Sequence, residues 1–387
     1  MSKIFYNCYN LNSLNLSQFN TGNVEKMNEM FNNCRGLNSL DLSAFNTTKV
    51  NNMYRMFYYC FAKTIDLSSF NTANVENMNE MFAGASLVVN IYTSDSFKTD
   101  KLTTSKDMFK YCTKLPNFNK DEVDATHANY GAGGYFKKIV GQKGSVTLGA
   151  NGEPLAVAEL TLTDDEDFKA YESFIATSAS YRRTLKEGTT WATLCLPFEV
   201  SLENKNFRAF KLLSADETTN TVELEEITTS VAAGTPVIIK MNEGQTALKF
   251  SVADKEIAHK VVSAADGNYQ LQGIYAKKVF VKGADDNCYI VKGNKLMNPS
   301  KLLENAKVNE VNCKAFRAYM VDNSSTPAGA KMFSIGFDET ATAIDNLNTN
   351  ADDKAIYYDL QGHRLNGPQR GVNIVKRGNK TMKVIIK

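Results

Sequence analysis

Two kinds of hydrophobic spacing recur through the first third of the chain. Leu14 and Leu16, Leu40 and Leu42, and Ile65 and Leu67 alternate with polar residues inside a phrase that starts at Ser13, Ser39 and Thr64, a period of 26 and then 25 residues. Such alternation predicts a short strand with one buried face. Between these phrases, Met27, Met30, Phe31 and Cys34 fall at i, i+3, i+4 and i+7, the spacing of one face of a short helix. The second phrase returns from Val50 to Cys60 and again from Val75, where Ala85 replaces the cysteine, and a shortened copy at Asp107–Cys112 closes the array. Strand plus helix at a fixed period predicts an α/β solenoid with parallel strands over residues 1–118, each unit burying its apolar side chains against the next.

Small buried side chains suit the slot of Cys8, Cys34, Cys60 and Cys112, since Ala85 occupies the same position. Asn20, Asn46 and Asn71 follow each predicted strand and are expected to bond backbone groups at the turn. The outward strand positions are small and polar: Ser13, Ser39 and Thr64, then Asn15, Asp41 and Asp66. The predicted helical side is richer. It carries Tyr6 and Tyr9 together with Arg35, Tyr54, Arg55, Tyr58 and Tyr59. Aromatic and arginine side chains dominate protein-binding hot spots, so Tyr54, Arg55, Tyr58, Tyr59 and Arg35 are the candidate binding residues; the competing reading has the tyrosines filling gaps between repeats.

Beyond the repeats the pattern changes. Gly131, Gly133, Gly134, Gly141, Gly144 and Gly149 punctuate residues 119–150, read as a linker and lead-in hairpin. Short β-type runs then recur over residues 151–340, among them Ala192–Phe198, Pro236–Ile239, Cys288–Val291 and Ala315–Met320, and predict an all-β, sandwich-like domain. Trp191 is either a sugar-stacking platform or a core residue of this domain. The run Asp164–Asp167 offers hard oxygen ligands but lacks the glycine and alternate spacing of a calcium loop, which favours a solvated turn. A polar linker over 341–354 leads to three short β-type runs in residues 355–387.

Composition narrows the chemistry. With 44 basic against 42 acidic residues, a net charge of +2 supplies no bulk attraction to nucleic acid. No apolar run reaches the roughly 18 residues of a membrane-spanning helix. Seven cysteines form no CxxC pair, and His127, His259 and His363 are far apart in sequence. No GxSxG, P-loop or dinucleotide fingerprint is present, so no enzyme activity, cofactor or metal is expected.

The run Leu-Asp-Leu-Ser-x-Phe-Asn-Thr followed by Val, Met, Met-Phe and Cys resembles the BspA-like leucine-rich repeats of bacterial surface proteins. That resemblance implies an adhesin-type role, with host extracellular matrix or plasma proteins, or other bacterial surfaces, as partners. The segment from Trp191 to Phe198 together with Ala233–Val237 resembles a module of Bacteroidales-type surface proteins, and the end of the chain, with Asp359-Leu-Gln-Gly, Gly371-Val-Asn-Ile-Val and a final lysine, resembles a type IX secretion sorting domain. His363 and Asn373 depart from the sorting pattern. Met1, Ile4, Phe5 and Cys8 already sit in repeat register, which leads to the expectation of further repeats and a signal peptide upstream. The expected protein is a non-enzymatic binding protein, extracellular or attached to the outer membrane; the alternative is a glycan-binding surface protein with its site in the middle domain.

Overall fold

A computed structural model of the chain describes residues 1–262, 267–304, 310–324 and 332–335, and residues 356–386 apart from 360, 362, 368, 370, 378 and 379. The linker expected at 341–354 and the final Lys387 lie outside the described residues. Contacts divide the chain into two compact units, Met1–Phe333 and Ser334–Lys387.

The repeats stack in register. Strands β1 (Ser39–Asp41), β2 (Thr64–Asp66) and β3 (Asn90–Thr93) pair in parallel, Leu40 opposite Ile65 and Ile65 opposite Ile91. In β1 and β2 the central side chain points into the core while its polar neighbours face outward, as the alternation predicts, whereas β3 buries Ile91, Tyr92 and Thr93 in succession.

The second phrase corrects the sequence reading, because it forms no helix. Among the described residues the only α-helix is Pro299–Glu304, far from the repeats, so the α/β leucine-rich-repeat solenoid does not hold and the fold is nearly all β. Each copy is a pair of tight turns with left-handed residues four apart: Lys3 and Asn7, Glu29 and Asn33, Arg55 and Tyr59, Glu80 and Gly84, Asp107 and Tyr111. The backbone explains the choice. In a helix every N–H turns back within its own segment. Here every second N–H reaches the next repeat instead, Glu29 N to Tyr54 O at 2.9 Å, Phe31 N to Met56 O at 2.9 Å and Asn33 N to Tyr58 O at 2.8 Å. The intervening ones close turns, as Asn32 N does to Glu29 O. Two consecutive turns also place i, i+3, i+4 and i+7 on one side, so Met27, Met30, Phe31 and Cys34 are all fully buried without a helix.

Stacked rings report the regularity. Phe5, Phe31, Phe57, Phe82 and Phe109 form one column, with centroids 5.4–5.7 Å apart and ring planes within 8°. That rise is slightly above the inter-strand spacing of about 4.8 Å, as offset rings require. Phe19, Phe45 and Phe70 form a second column. Tyr135 and Phe136 then close the stack edge-on, with Phe109 5.1 Å from the Tyr135 ring and 5.6 Å from the Phe136 ring.

The ladder continues past the repeats. β3 pairs in parallel with β4 (Lys137–Lys143), which turns back into β5 (Val146–Ala150) and also pairs with Phe168–Ala170. Gly149 is required here, because a Cβ would lie 2.4 Å from the Tyr92 ring.

Residues 156–335 also depart from the expected sandwich. Nine strands form one sheet, in the order Tyr269–Ile274, Arg317–Asp322, Cys288–Lys292, Lys295–Met297, Met332–Ser334, Thr221–Ile227, Phe207–Asp216, Val237–Met241 and Trp191–Leu194. Its last strand comes back to its second. Thr193 Oγ1 donates to Ala318 O at 2.8 Å and accepts from Ala318 N at 3.0 Å, and Cys195 N donates to Phe316 O at 3.0 Å. The sheet is a nearly closed barrel, and the bulge between Leu212 and Ser214 adds local bending to one strand. Alternating apolar positions are common to a barrel wall and a sandwich layer, which is why the sequence pattern did not separate them. A three-stranded sheet of Ala156–Thr163, Phe174–Thr184 and Ala247–Ile257 shares the barrel's apolar core through Tyr181, Leu248 and Phe250.

The second unit contains a four-stranded antiparallel sheet of Ile356–Tyr358, Arg364–Leu365, Gly371–Arg377 and Lys380–Ile386. Asn373 is buried there, its Oδ1 accepting from Gln369 N at 3.0 Å.

Candidate binding surface

Polar side chains hold the repeats at fixed pitch. Asn20, Asn46 and Asn71 each accept, through Oδ1, the backbone N–H two residues on at 3.1–3.2 Å, the turn role expected of them. Asn15, Asp41 and Asp66 do the same for Ser17, Ser43 and Ser68. The threonine after each turn asparagine links layers. Thr47 Oγ1 donates to Asn71 O at 2.8 Å and accepts from Asn71 N at 2.9 Å, and Thr21 and Thr72 repeat this one layer down and one layer up. Cys34, Cys60 and Cys112 lie in the core as thiols, and Cys8 at the end of the column is half-buried. Burial, then the neighbouring Cys60 and Cys8, pushes Cys34 up to about 12, and burial pushes Cys60 to about 11 and Cys112 to about 12.

The turn face carries the aromatic and cationic side chains singled out in the sequence, and it brings them together. Arg55 Nε and Nη2 both reach Glu80 Oε2 at 2.7 Å, while its guanidinium lies 4.6 Å from the Tyr58 ring and 5.0 Å from the Tyr54 ring. Tyr58 and Tyr59 meet edge to face at 4.7 Å. Burial and the neighbouring Tyr59 hold the Tyr58 hydroxyl above its ordinary value. Arg35 is exposed and sits 5.6 Å from both the Tyr9 and Tyr59 rings and 5.8 Å from the Phe61 ring. Lys3 over Tyr6 and Lys110 over Tyr111 extend the row to both ends of the stack.

Three contributors were missed in the sequence. Glu80 anchors Arg55. Gly84 leaves room for the Tyr59 ring, since a Cβ there would lie 2.9 Å from it. Tyr111, 59% exposed, occupies the same left-handed position as Tyr59, where the other layers have Asn7, Asn33 and Gly84. The left-handed conformation suits asparagine and glycine and costs a bulky residue about 1–2 kcal/mol. The detectable signal was tyrosine, at 59 and 111, in a column otherwise filled by Asn and Gly.

Trp191 lies elsewhere, on the barrel. It is only 8% exposed, packs 5.5 Å from Phe210 and has the Lys240 ammonium 5.6 Å from its ring. The acidic run Asp164–Asp167 borders a groove of about 600 Å³ together with Gly144, Lys277, Asn312 and Lys314. Its carboxylates are already engaged: Asp164 with Arg183 and Arg317, Asp165 with Lys314, Glu166 with Lys143, and Asp167 with the Lys277 N–H. Among the described residues no cluster of His, Cys, Asp or Glu has the geometry of a metal site, and no helix is long and apolar enough to cross a membrane.

Residues 1–94 and 63–132 match the model of a family described as Mycoplasma protein of unknown function, DUF285. The match spans the repeats, about a third of the chain, and stops short of Tyr135 and Phe136, which close the stack. No curated protein and no solved structure matches the chain.

Proposed function

We propose that the chain is a non-enzymatic binding protein of the bacterial cell surface, and that the turn face of the repeats is its contact surface for extracellular-matrix or plasma proteins, or for other bacterial surfaces. The observation that carries this reading is the row of cation–aromatic contacts along stacked turns, with Arg55 against Tyr54 and Tyr58, and Arg35 among Tyr9, Tyr59 and Phe61. Side chains of this kind supply large contact area at low entropic cost and recur at the centres of protein interfaces. Left-handed Tyr111 adds to it, because backbone strain retained at an exposed side chain favours a use for that side chain outside the fold. The strand face offers small polar side chains, serine, threonine, asparagine and aspartate, whose acceptors Asn15, Asp41 and Asp66 are committed to local turns. Surface display rests on the resemblance of the last strands to a sorting domain.

The test is surface plasmon resonance of the purified full chain over immobilised fibronectin, fibrinogen and a panel of further matrix and plasma proteins. Saturable binding to a member of the panel supports the reading. Absence of binding throughout, with the chain folded, counts against matrix and plasma partners.

A further inference from the structure

Arg35 stands apart from the other cations of the turn face. Lys3 pairs with Glu29 at 3.0 Å, Arg55 with Glu80 at 2.7 Å and Lys110 with Asp107 at 3.2 Å. Arg35 has no carboxylate partner among the described residues; its polar contact is Nη2 to the Asn33 side-chain oxygen at 3.1 Å. Its surroundings hold it in place nonetheless. Tyr9 and Phe61 occupy the same slot in the layers on either side, one residue after Cys8 and Cys60, so the guanidinium lies between two rings of its own column with Tyr59 at its flank.

We propose that Arg35, set among Tyr9, Tyr59 and Phe61, is a receptor for a carboxylate on an acidic, aromatic-containing segment of the protein partner. The inference rests on the binding-face reading above and names the chemistry of its centre. A guanidinium flanked by rings keeps the in-plane donors that do not bond Asn33 for a ligand, and a planar fork matches a carboxylate two bonds at a time. The charge balance selects the carboxylate: Glu29 and Glu80 are neutralised by their own partners, leaving Arg35 uncompensated. The rings around it reward an apolar or aromatic neighbour of that carboxylate. A sulfated glycan is a poorer fit, because it calls for several uncompensated cations in a row, and Lys3 and Arg55 are already paired.

The experiment uses the full chain and three fluorescein-labelled probes read by anisotropy: a short peptide of alternating Asp and Phe, its Asn–Phe counterpart, and a chondroitin sulfate oligosaccharide. The Asp–Phe peptide is expected to bind about tenfold or more tighter than the Asn–Phe peptide. Arg35→Ala should abolish that preference, and Arg35→Lys, which keeps the charge but loses the fork, should lose most of it. Equal binding of the two peptides, no binding of either, binding of the oligosaccharide alone, or an unchanged preference in Arg35→Ala overturns the proposal. Its failure is separable from that of the wider reading: if the wild-type chain and Arg35→Ala bind a matrix or plasma protein equally while Tyr54 and Tyr58 variants do not, the binding face stands and the carboxylate receptor falls.

Discussion

Replacing Thr47 by valine removes one hydroxyl and keeps the shape of the side chain. That hydroxyl both donates to Asn71 O at 2.8 Å and accepts from Asn71 N at 2.9 Å, and Thr47 is 1% exposed, so solvent has no route to replace it. Two backbone groups are left without partners at about 1–3 kcal/mol each, giving an expected loss of about 2–6 kcal/mol. Thr47→Ser is the matched control. It keeps both hydrogen bonds and loses one methyl group, about 0.8 kcal/mol. Native-state hydrogen exchange is the assay, because it reads the opening free energy of Asn71 and the amides around it directly. The hydrogen-bond account requires valine to be the more damaging change, with the largest loss of protection in the layers of Thr47 and Asn71. A valine variant as protected as the serine variant would refute the reasoning, and with it the view that threonine bridges fix the repeat pitch.

Other consequences are as direct. Tyr111→Asn should raise stability by about 0.5–1 kcal/mol, since it relieves a left-handed tyrosine and sacrifices only an exposed contact with Lys110; thermal unfolding checks it. Gly84→Ala should destabilise the stack by about 1 kcal/mol or more, because φ is +76° and the new Cβ meets the Tyr59 ring, and the same scan detects it. Cys34, Cys60 and Cys112 are held as thiols well above their unfolded values, so their contribution is complete below about pH 8.5 and is lost as pH rises toward 11–12, at up to about 1.4 kcal/mol per pH unit for each thiol. Denaturation curves from pH 7 to 10 should show stability falling, and a flat profile would contradict the buried column. Deleting residues 355–387 should leave the protein inside its cell, and unchanged surface levels on fractionation would count against a sorting role.

Much of the repeat region was legible because its side chains sit in register. The strand alternation of the second and third copies and the turn asparagines could be read from period alone, whereas Leu14–Leu16 of the first copy forms no strand and Leu14 is half-buried. The helix was not legible, and the reason is specific: Met27, Met30, Phe31 and Cys34 have helical spacing, but Glu29 and Asn33 take left-handed conformations that send the backbone to the neighbouring repeat. That preference belongs to the stack and is absent from any single copy. In the barrel, closure depends on Thr193 meeting Ala318, 125 residues away, which no local pattern encodes. The turn-face cluster was half visible. Tyr54, Arg55, Tyr58, Tyr59 and Arg35 were recognisable by type, whereas Glu80 and Gly84 matter only because stacking brings the next repeat against them.

The central claim is that the turn face, and not the strand face, makes contact with the partner. Surface plasmon resonance of three full-length chains over the immobilised matrix or plasma protein that the wild type binds tests it most directly: wild type, a turn-face variant with Tyr54→Ser and Tyr58→Ser, and a strand-face variant with Ser13→Lys and Ser39→Lys. The account predicts that the turn-face variant loses binding at least about tenfold while the strand-face variant matches wild type. Retained binding in the turn-face variant, with loss in the strand-face variant, would contradict it.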